Sequence, residues 1–204
     1  MNRKLGMYSA LVTLAAVLAF AFCMIIGSDF GSYLSSLFIS LGFVPMVCAF
    51  AAISTDEEKG VSYTAVAFAA VYAVLICVVY FTQLTTVRLS ALNEQASALL
   101  GYQTLGGLFF NYDLLGYAFM ALSTFFIGLT IKVQSKADKW LKYLLLVHGV
   151  FAITCIVMPM LGVFNAEMRG GEIIGVLILE FWCAYFSPVC VLAYRYFKGG
   201  AVKN

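Results

Sequence analysis

An all-α membrane protein is the fold class this sequence predicts: a single domain, residues 1–204, of six transmembrane helices in an antiparallel bundle. Three observations predict it. Six apolar stretches (Met7–Ile26, Tyr33–Ile53, Val61–Phe81, Leu108–Ile131, Tyr143–Val163 and Ile173–Tyr194) each come close to the roughly 20 residues that cross the hydrocarbon layer as a helix. The runs are continuous, without the alternation of barrel strands, and a helix satisfies its own backbone in lipid. The chain is 63% hydrophobic and 11% charged, more apolar surface than one soluble core of this size can hide.

The first stretch follows Arg3 and Lys4, as a signal peptide would, but its apolar run is longer than the 7–15 residues of a typical h-region. No small-x-small site precedes Asp29, and Cys23 follows Phe22 where a lipobox needs a small residue. An uncleaved first helix is expected. The loops Gly27–Ser32, Ser54–Gly60 and Phe164–Glu172 are short, which makes the helices they join antiparallel neighbours. Ser54-Thr55 followed by Asp56, Glu57 and Glu58 reads as the acidic start of the third helix.

After the third span, Leu84, Val87, Leu89, Leu92, Ala96, Leu99 and Leu100 recur at helical spacing with polar residues between them. An amphipathic helix over 84–100 is expected, either continuing the third span or lying along the interface. Gly101, Gly106 and Gly107 end it. Ala15 and Ala19, and Ala65, Ala69 and Ala73, form small-residue stripes that let helices approach closely or dock a partner. Pro45, Pro159 and Pro188 fall inside spans, where each removes a backbone hydrogen bond. All six cysteines lie in spans without CxxC spacing, reading as small hydrophobes, with Cys23 and Cys77 at similar depth as the one conceivable pair.

Charge placement sets the expected orientation. With a cytoplasmic N-terminus, ten basic residues lie inside (Arg3, Lys4, Lys59, Lys132, Lys136, Lys139, Lys142, Arg195, Lys198 and Lys203) and two outside (Arg88 and Arg169). The positive-inside rule then places both termini in the cytoplasm, Asn93 and Glu167 outside, and the chain in a bacterial plasma membrane. The aromatic residues Tyr80, Phe81, Phe109, Phe110 and Tyr112 mark the outer interface, and Trp140, Tyr143, Tyr194 and Tyr196 the inner.

Ionisable residues within spans are the candidates for function, because burying one costs several kcal/mol without a partner or water. Glu180, in Leu177-Ile178-Leu179-Glu180-Phe181-Trp182, is expected about 10 Å below the outer end of the last span. Arg88, Gln83, Asn111, Tyr112 and Asp113 approach the same level. Together these six residues make a candidate outward-facing ligand site, or else one buried ion pair of Arg88 with Asp113 or Glu180. Asp113 alone reads as a helix N-terminal charge, and His148, the only histidine, as a satisfied core residue. No phosphate loop, HExxH, catalytic triad, metal-ligand cluster or cofactor motif is present, and the scattered basic residues form no nucleic-acid patch.

Lys139-Trp140-Leu141, Gly149, Leu179-Glu180 and Tyr196-Phe197-Lys198-Gly199 give the second half a likeness to a family of uncharacterised bacterial six-helix integral membrane proteins. That family's Pro-Arg-Trp-Leu is here Asp138-Lys139-Trp140-Leu141, and the resemblance implies no activity. In length and in Ala15-x-x-x-Ala19 the chain is also similar to substrate-binding subunits of vitamin-uptake transporters, which dock through small residues of their first helix. Three function classes remain open. They are a non-enzymatic small-solute binding or transport module, a structural or regulatory partner of another membrane protein or of a second copy, and an enzyme acting on a lipophilic substrate.

Overall fold

The computed structural model describes residues 1–165 and 171–199. Eight α-helices and no strand occur among them: α1 (Asn2–Ile25), α2 (Asp29–Ile53), α3 (Lys59–Thr82), α4 (Glu94–Leu100), α5 (Leu108–Thr130), α6 (Lys136–His148), α7 (Val150–Met160) and α8 (Gly171–Gly199). Six segments are long and apolar enough to cross a membrane: α1, α2, α3 with its flanking turns (Asp56–Val87), α5, α6 with α7 (Lys136–Met160), and α8 (Ile173–Gly199). The chain is an all-α, multi-pass membrane bundle.

Local sequence explains where the helices begin. Ser28 Oγ accepts the Gly31 N–H at 3.3 Å, Asn93 Oδ1 the Ala96 N–H at 2.8 Å and Ser135 Oγ the Asp138 N–H at 3.2 Å. At the α2–α3 turn, Glu58 Oε2 accepts both the Thr55 N–H (3.0 Å) and the Thr55 hydroxyl (2.6 Å). Each cap satisfies a donor that a helix end leaves unpaired.

An even number of crossings returns both termini to one end. There Arg3 Nη1 donates to the Tyr196 carbonyl at 3.5 Å, and the Lys132 N–H to the Tyr196 hydroxyl at 3.4 Å. The lysines of 132–142 share that basic end. Around the bundle, α1 packs on α2 and α8, α2 on α3, α3 on α5, α5 on α6 and α7, and α6 on α8, closing a ring.

Packing follows small residues. Gly6, Ser9, Ala10, Thr13 and Ala16 are buried on α1, and Ser36, Ile39, Ser40, Gly42 and Phe43 on α2. Ala15 and Ala19 are exposed on the opposite side of α1, so the expected stripe there faces out of the bundle. Ala65 and Ala69 are fully buried, where Ser123 Oγ of α5 donates to the Ala65 carbonyl at 2.8 Å. Gly116 of α5 lets Ile76 of α3 approach to 3.0 Å of where a Cβ would stand.

Two expectations are revised. The segment 84–100 is not one amphipathic helix. Here α3 runs on through a π-turn (Gln83–Val87), the chain breaks, and α4 follows as a separate short helix. The fifth span begins at Lys136, ahead of Tyr143, and is divided at Gly149 into α6 and α7. A Cβ at Gly149 would lie 2.9 Å from the Phe125 ring, so the division falls where the Phe125 side chain of α5 packs against the span. The six cysteines are free: Cys77 Sγ lies 3.5 Å from Ser40 Oγ, and Cys23 Sγ sits against Gly31, so no Cys23–Cys77 pair forms. Pro45, Pro159 and Pro188 lie within α2, α7 and α8, whose helices continue past them. Glu167, Arg169 and Lys203 lie outside the described residues.

A Cβ at Gly42 would stand 2.6 Å from Thr13 Oγ1 and 3.0 Å from the Thr13 backbone nitrogen, whereas one at Gly175 meets nothing within 4 Å. Gly42→Ala is expected to destabilise the protein by about 1–3 kcal/mol through overpacking. Gly175→Ala is expected to leave the melting midpoint in detergent unchanged or raised, and the pair of midpoints checks the α1–α2 contact.

Candidate functional site

The buried stripes of α3 and α5 face each other and carry the site. Residues four apart share a helix face. On α3 that face presents Ala69, Tyr72, Ile76 and Tyr80, ending at Gln83. On α5 it presents Phe109, Asp113, Tyr117 and Met120. Asp113 therefore enters the bundle about 8 Å along α5 from Leu108, with a residue exposure of 3%.

Two tyrosines reach its carboxyl group, and three more lie within electrostatic range of it. Tyr102 donates its hydroxyl to Asp113 Oδ2 at 3.3 Å, and Tyr80 reaches the same carboxyl group. Tyr33, Tyr72 and Tyr117 lie within electrostatic range of it. The rings of Tyr33, Tyr80 and Tyr102 stand 5.5–5.7 Å apart by centroid, and those of Tyr72 and Tyr117 are 6.0 Å apart. Burial, and then the Asp113 carboxylate, hold the Tyr102 hydroxyl well above its ordinary pKa, so it remains a proton donor. Asp113 Oδ1, Tyr72 Oη and Tyr117 Oη are buried without a hydrogen-bond partner. Three orphan polar atoms in one cluster are an unusual cost for a membrane interior.

The site is closed from the end opposite the basic one. Gln83 donates Nε2 to the Leu100 carbonyl at 2.8 Å and accepts the Tyr102 N–H on Oε1 at 3.0 Å. This pins the connection between α4 and α5 to the end of α3. Gln103 Nε2 then donates to Tyr33 Oη at 2.9 Å and to Asp29 Oδ1 at 3.2 Å, tying the same loop to α2. Gly106 completes the loop at φ +74, where a Cβ would run into the Phe164 carbonyl.

Toward the middle of the bundle the cluster continues through Tyr117 and Trp182, whose rings are 5.3 Å apart. Trp182 Nε1–H donates to His148 Nε2 at 3.1 Å, and His148 Nδ1 lies 2.7 Å from Thr124 Oγ1. Indole nitrogen only donates, so His148 Nε2 accepts and its proton resides on Nδ1, directed at Thr124. His148, 1% exposed, is thus a fully partnered core residue.

The six residues expected to converge divide between three places. Asp113 and Gln83 join through Tyr102. Arg88 is exposed, donates Nε to the Leu84 carbonyl at 3.1 Å and lies 5.0 Å over the Phe30 ring, away from either carboxylate. Asn111 donates to the Gly106 carbonyl at 2.9 Å, and Tyr112 is exposed. Glu180 is partly buried on α8 with Oε1 unpartnered, next to Cys183 and apart from the tyrosine cluster.

Comparison with family models, curated proteins and solved structures finds no match. The site therefore rests on its own geometry.

The tyrosines escaped sequence reasoning. Tyr80, read as an interfacial aromatic, is core, and so is Phe109. The signal was present as spacing: Tyr72 and Tyr80 lie eight apart and Asp113 and Tyr117 four apart, each pair on one face. A phenol at mid-span also favours a polar partner, though leaving it unpaired costs less than leaving a carboxylate so.

Gln83→Ala removes both bonds to the loop. Faster amide exchange and proteolysis over 94–107 are expected, with the exchange of α1 and α2 unchanged, as hydrogen-exchange mass spectrometry would show.

Proposed function

We propose that the chain is a non-enzymatic membrane module that binds a small solute, alone or as part of a transporter, with Asp113 at the centre of its site. One observation carries this reading. A buried carboxyl group, with one oxygen unpartnered, lies among tyrosines of which two hydroxyls are also unpartnered. Ionisable groups placed inside a membrane bundle without an ion pair mark solute or ion sites as a rule. The loop held by Gln83 and Gln103 covers the cluster, and the solute enters by its release.

The basic end faces the cytoplasm in this proposal, and the loop end faces outward from the plasma membrane, following the lysine bias. Cysteine at exposed Gln95, in a cysteine-free background, is expected to react with an impermeant thiol reagent on intact cells. Cysteine at Gln134 is expected to react only after lysis, and the reverse pattern would overturn the orientation.

Untargeted mass spectrometry of the purified protein is expected to find a co-purifying small solute that is lost in Asp113→Asn. A melting midpoint at or above that of the wild type would show the variant folded. Recovery of the same molecules from wild type and variant, or of none from either, would sink the assignment.

A second reading draws on the loop-end halves of the fifth and last spans. There α7 packs on α5 while α8 packs on α1 and α6, and Ile153 and Met160 of α7 and Leu177 and Phe181 of α8 are exposed. These faces suit lipid or a neighbouring membrane protein equally in composition, so the binding reading stands first.

A further inference from the structure

We infer that one face of α6 binds an anionic phospholipid, with Lys136 and Lys139 taking its phosphate and Trp140 and Tyr143 lying against its ester region. The inference is independent of the Asp113 site, which lies nearer the loop end of the bundle.

Helical spacing sets the face. Positions 136, 139, 140 and 143 follow one another at i, i+3, i+4 and i+7, and all four side chains are exposed. Trp140 and Tyr143 are 59% and 57% exposed, with their rings edge to face at 6.0 Å. The opposite face, with Leu141, Leu145 and His148, is the one buried in the bundle. Packing within the chain therefore gives no reason for two lysines and two amphipathic aromatics to share the outer side.

Charge on this face has one sign. Asp138, the one acid of α6, stands off it, and its Oδ2 accepts the Gln134 N–H at 3.1 Å where the helix begins. Lys142 is also off the face and donates Nζ to the Ile131 carbonyl at 3.4 Å. Lys132 and Lys142 both lie within electrostatic range of Glu58, which offsets part of their charge. Basic residues clustered beside a span attract acidic headgroups.

Order along the axis selects a lipid among anions. The apolar run of this span begins at Tyr143. Counting outward from there, Trp140 stands about 4–5 Å toward water, Lys139 about 6 Å and Lys136 about 10 Å. The polar layer of a bilayer is roughly 5–8 Å deep on each side. Lys139 thus lies at phosphate depth, the flexible stem of Lys136 reaches back to it, and Trp140 sits at the ester level. On the other side of Tyr143, α7 presents exposed Val150, Ile153 and Val157, an apolar wall for an acyl chain. A free anion needs the lysines alone, and the aromatic pair and the wall are what a lipid uses in addition.

The test uses the full chain in detergent micelles, titrated with dioleoyl phosphatidylglycerol or the matched phosphatidylcholine. Native mass spectrometry and thermal unfolding give the readouts. Phosphatidylglycerol is expected to be retained in preference to phosphatidylcholine and to raise the midpoint saturably. Lys136→Ala with Lys139→Ala is expected to weaken phosphatidylglycerol at least about tenfold, with the midpoint in phosphatidylcholine unchanged. Lys4→Ala with Lys198→Ala removes the same charge from other exposed positions of the basic end and is expected to keep the preference.

Equal retention of the two lipids would overturn the inference. Equal weakening by the two double variants would also overturn it, since the effect would then be a diffuse field. A midpoint raised as much by inorganic phosphate would assign the lysines to a free anion. A dimer lost with Lys136 and Lys139 at unchanged lipid content would assign the face to a second copy. Either of these results rejects the lipid site.

Discussion

A carboxyl group in a hydrocarbon-embedded bundle, with no basic side chain paired to it among the described residues, constrains everything around it. Water is scarce at such depth, and each polar atom without a partner costs free energy that the helices must recover elsewhere. The chain meets this in part with two phenols, Tyr80 from α3 and Tyr102 from the loop, while Tyr33 from α2, Tyr72 from α3 and Tyr117 from α5 lie within electrostatic range. Phenol suits the task because its ring packs like a core residue while its hydroxyl donates. The loop before α5 is ordered for the same reason, since Tyr102 reaches Asp113 only while Gln83 holds its backbone in place.

Close helix approach is the second condition. Gly42 against Thr13, Gly116 against Ile76 and Gly149 against Phe125 bring α1 to α2, α3 to α5 and the middle of the fifth span to α5. In lipid the apolar surface gains little by leaving the solvent, so van der Waals contact and hydrogen bonds between helices carry the association. Hydroxyls near these contacts mostly return to their own helix, as Thr13 does to the Ser9 carbonyl at 2.8 Å and Ser36 to Ser32 at 3.0 Å. They remain satisfied without demanding a partner across the interface. Ser123, Thr124 and Ser40 also reach across, to Ala65, His148 and Cys77.

Fold class and span positions were legible in the sequence because hydrocarbon length and backbone satisfaction leave few alternatives. Buried Ala65 and Ala69, and the fully partnered His148, were legible for a related reason: small or isolated polar residues in an apolar run have few places to go. The site was legible only in part. Asp113 and Gln83 stood out as polar residues, but their link runs through Tyr102, in a loop whose path no periodicity fixes. Arg88 illustrates the opposite limit. Charge count made it the natural partner of a carboxylate, yet on its exposed turn it settles over Phe30, where its head stays in a polar setting and its stem covers an aromatic face. The break at Gly149 was hidden because an apolar run reads the same whether its helix is continuous or divided. Only the proximity of Phe125 distinguishes the two.

That division gives the fifth span unequal anchorage along its length. Below Gly149, α6 is fastened to α8 by the Tyr185 hydroxyl on the Leu144 carbonyl, at 2.5 Å, and by His148 with Trp182. Above it, α7 leans on α5 alone among its larger contacts and presents Ile153 and Met160 outward. The fifth span thus joins a basic half hydrogen-bonded to α8 with a loop-end half that rests on α5, the helix that carries Asp113.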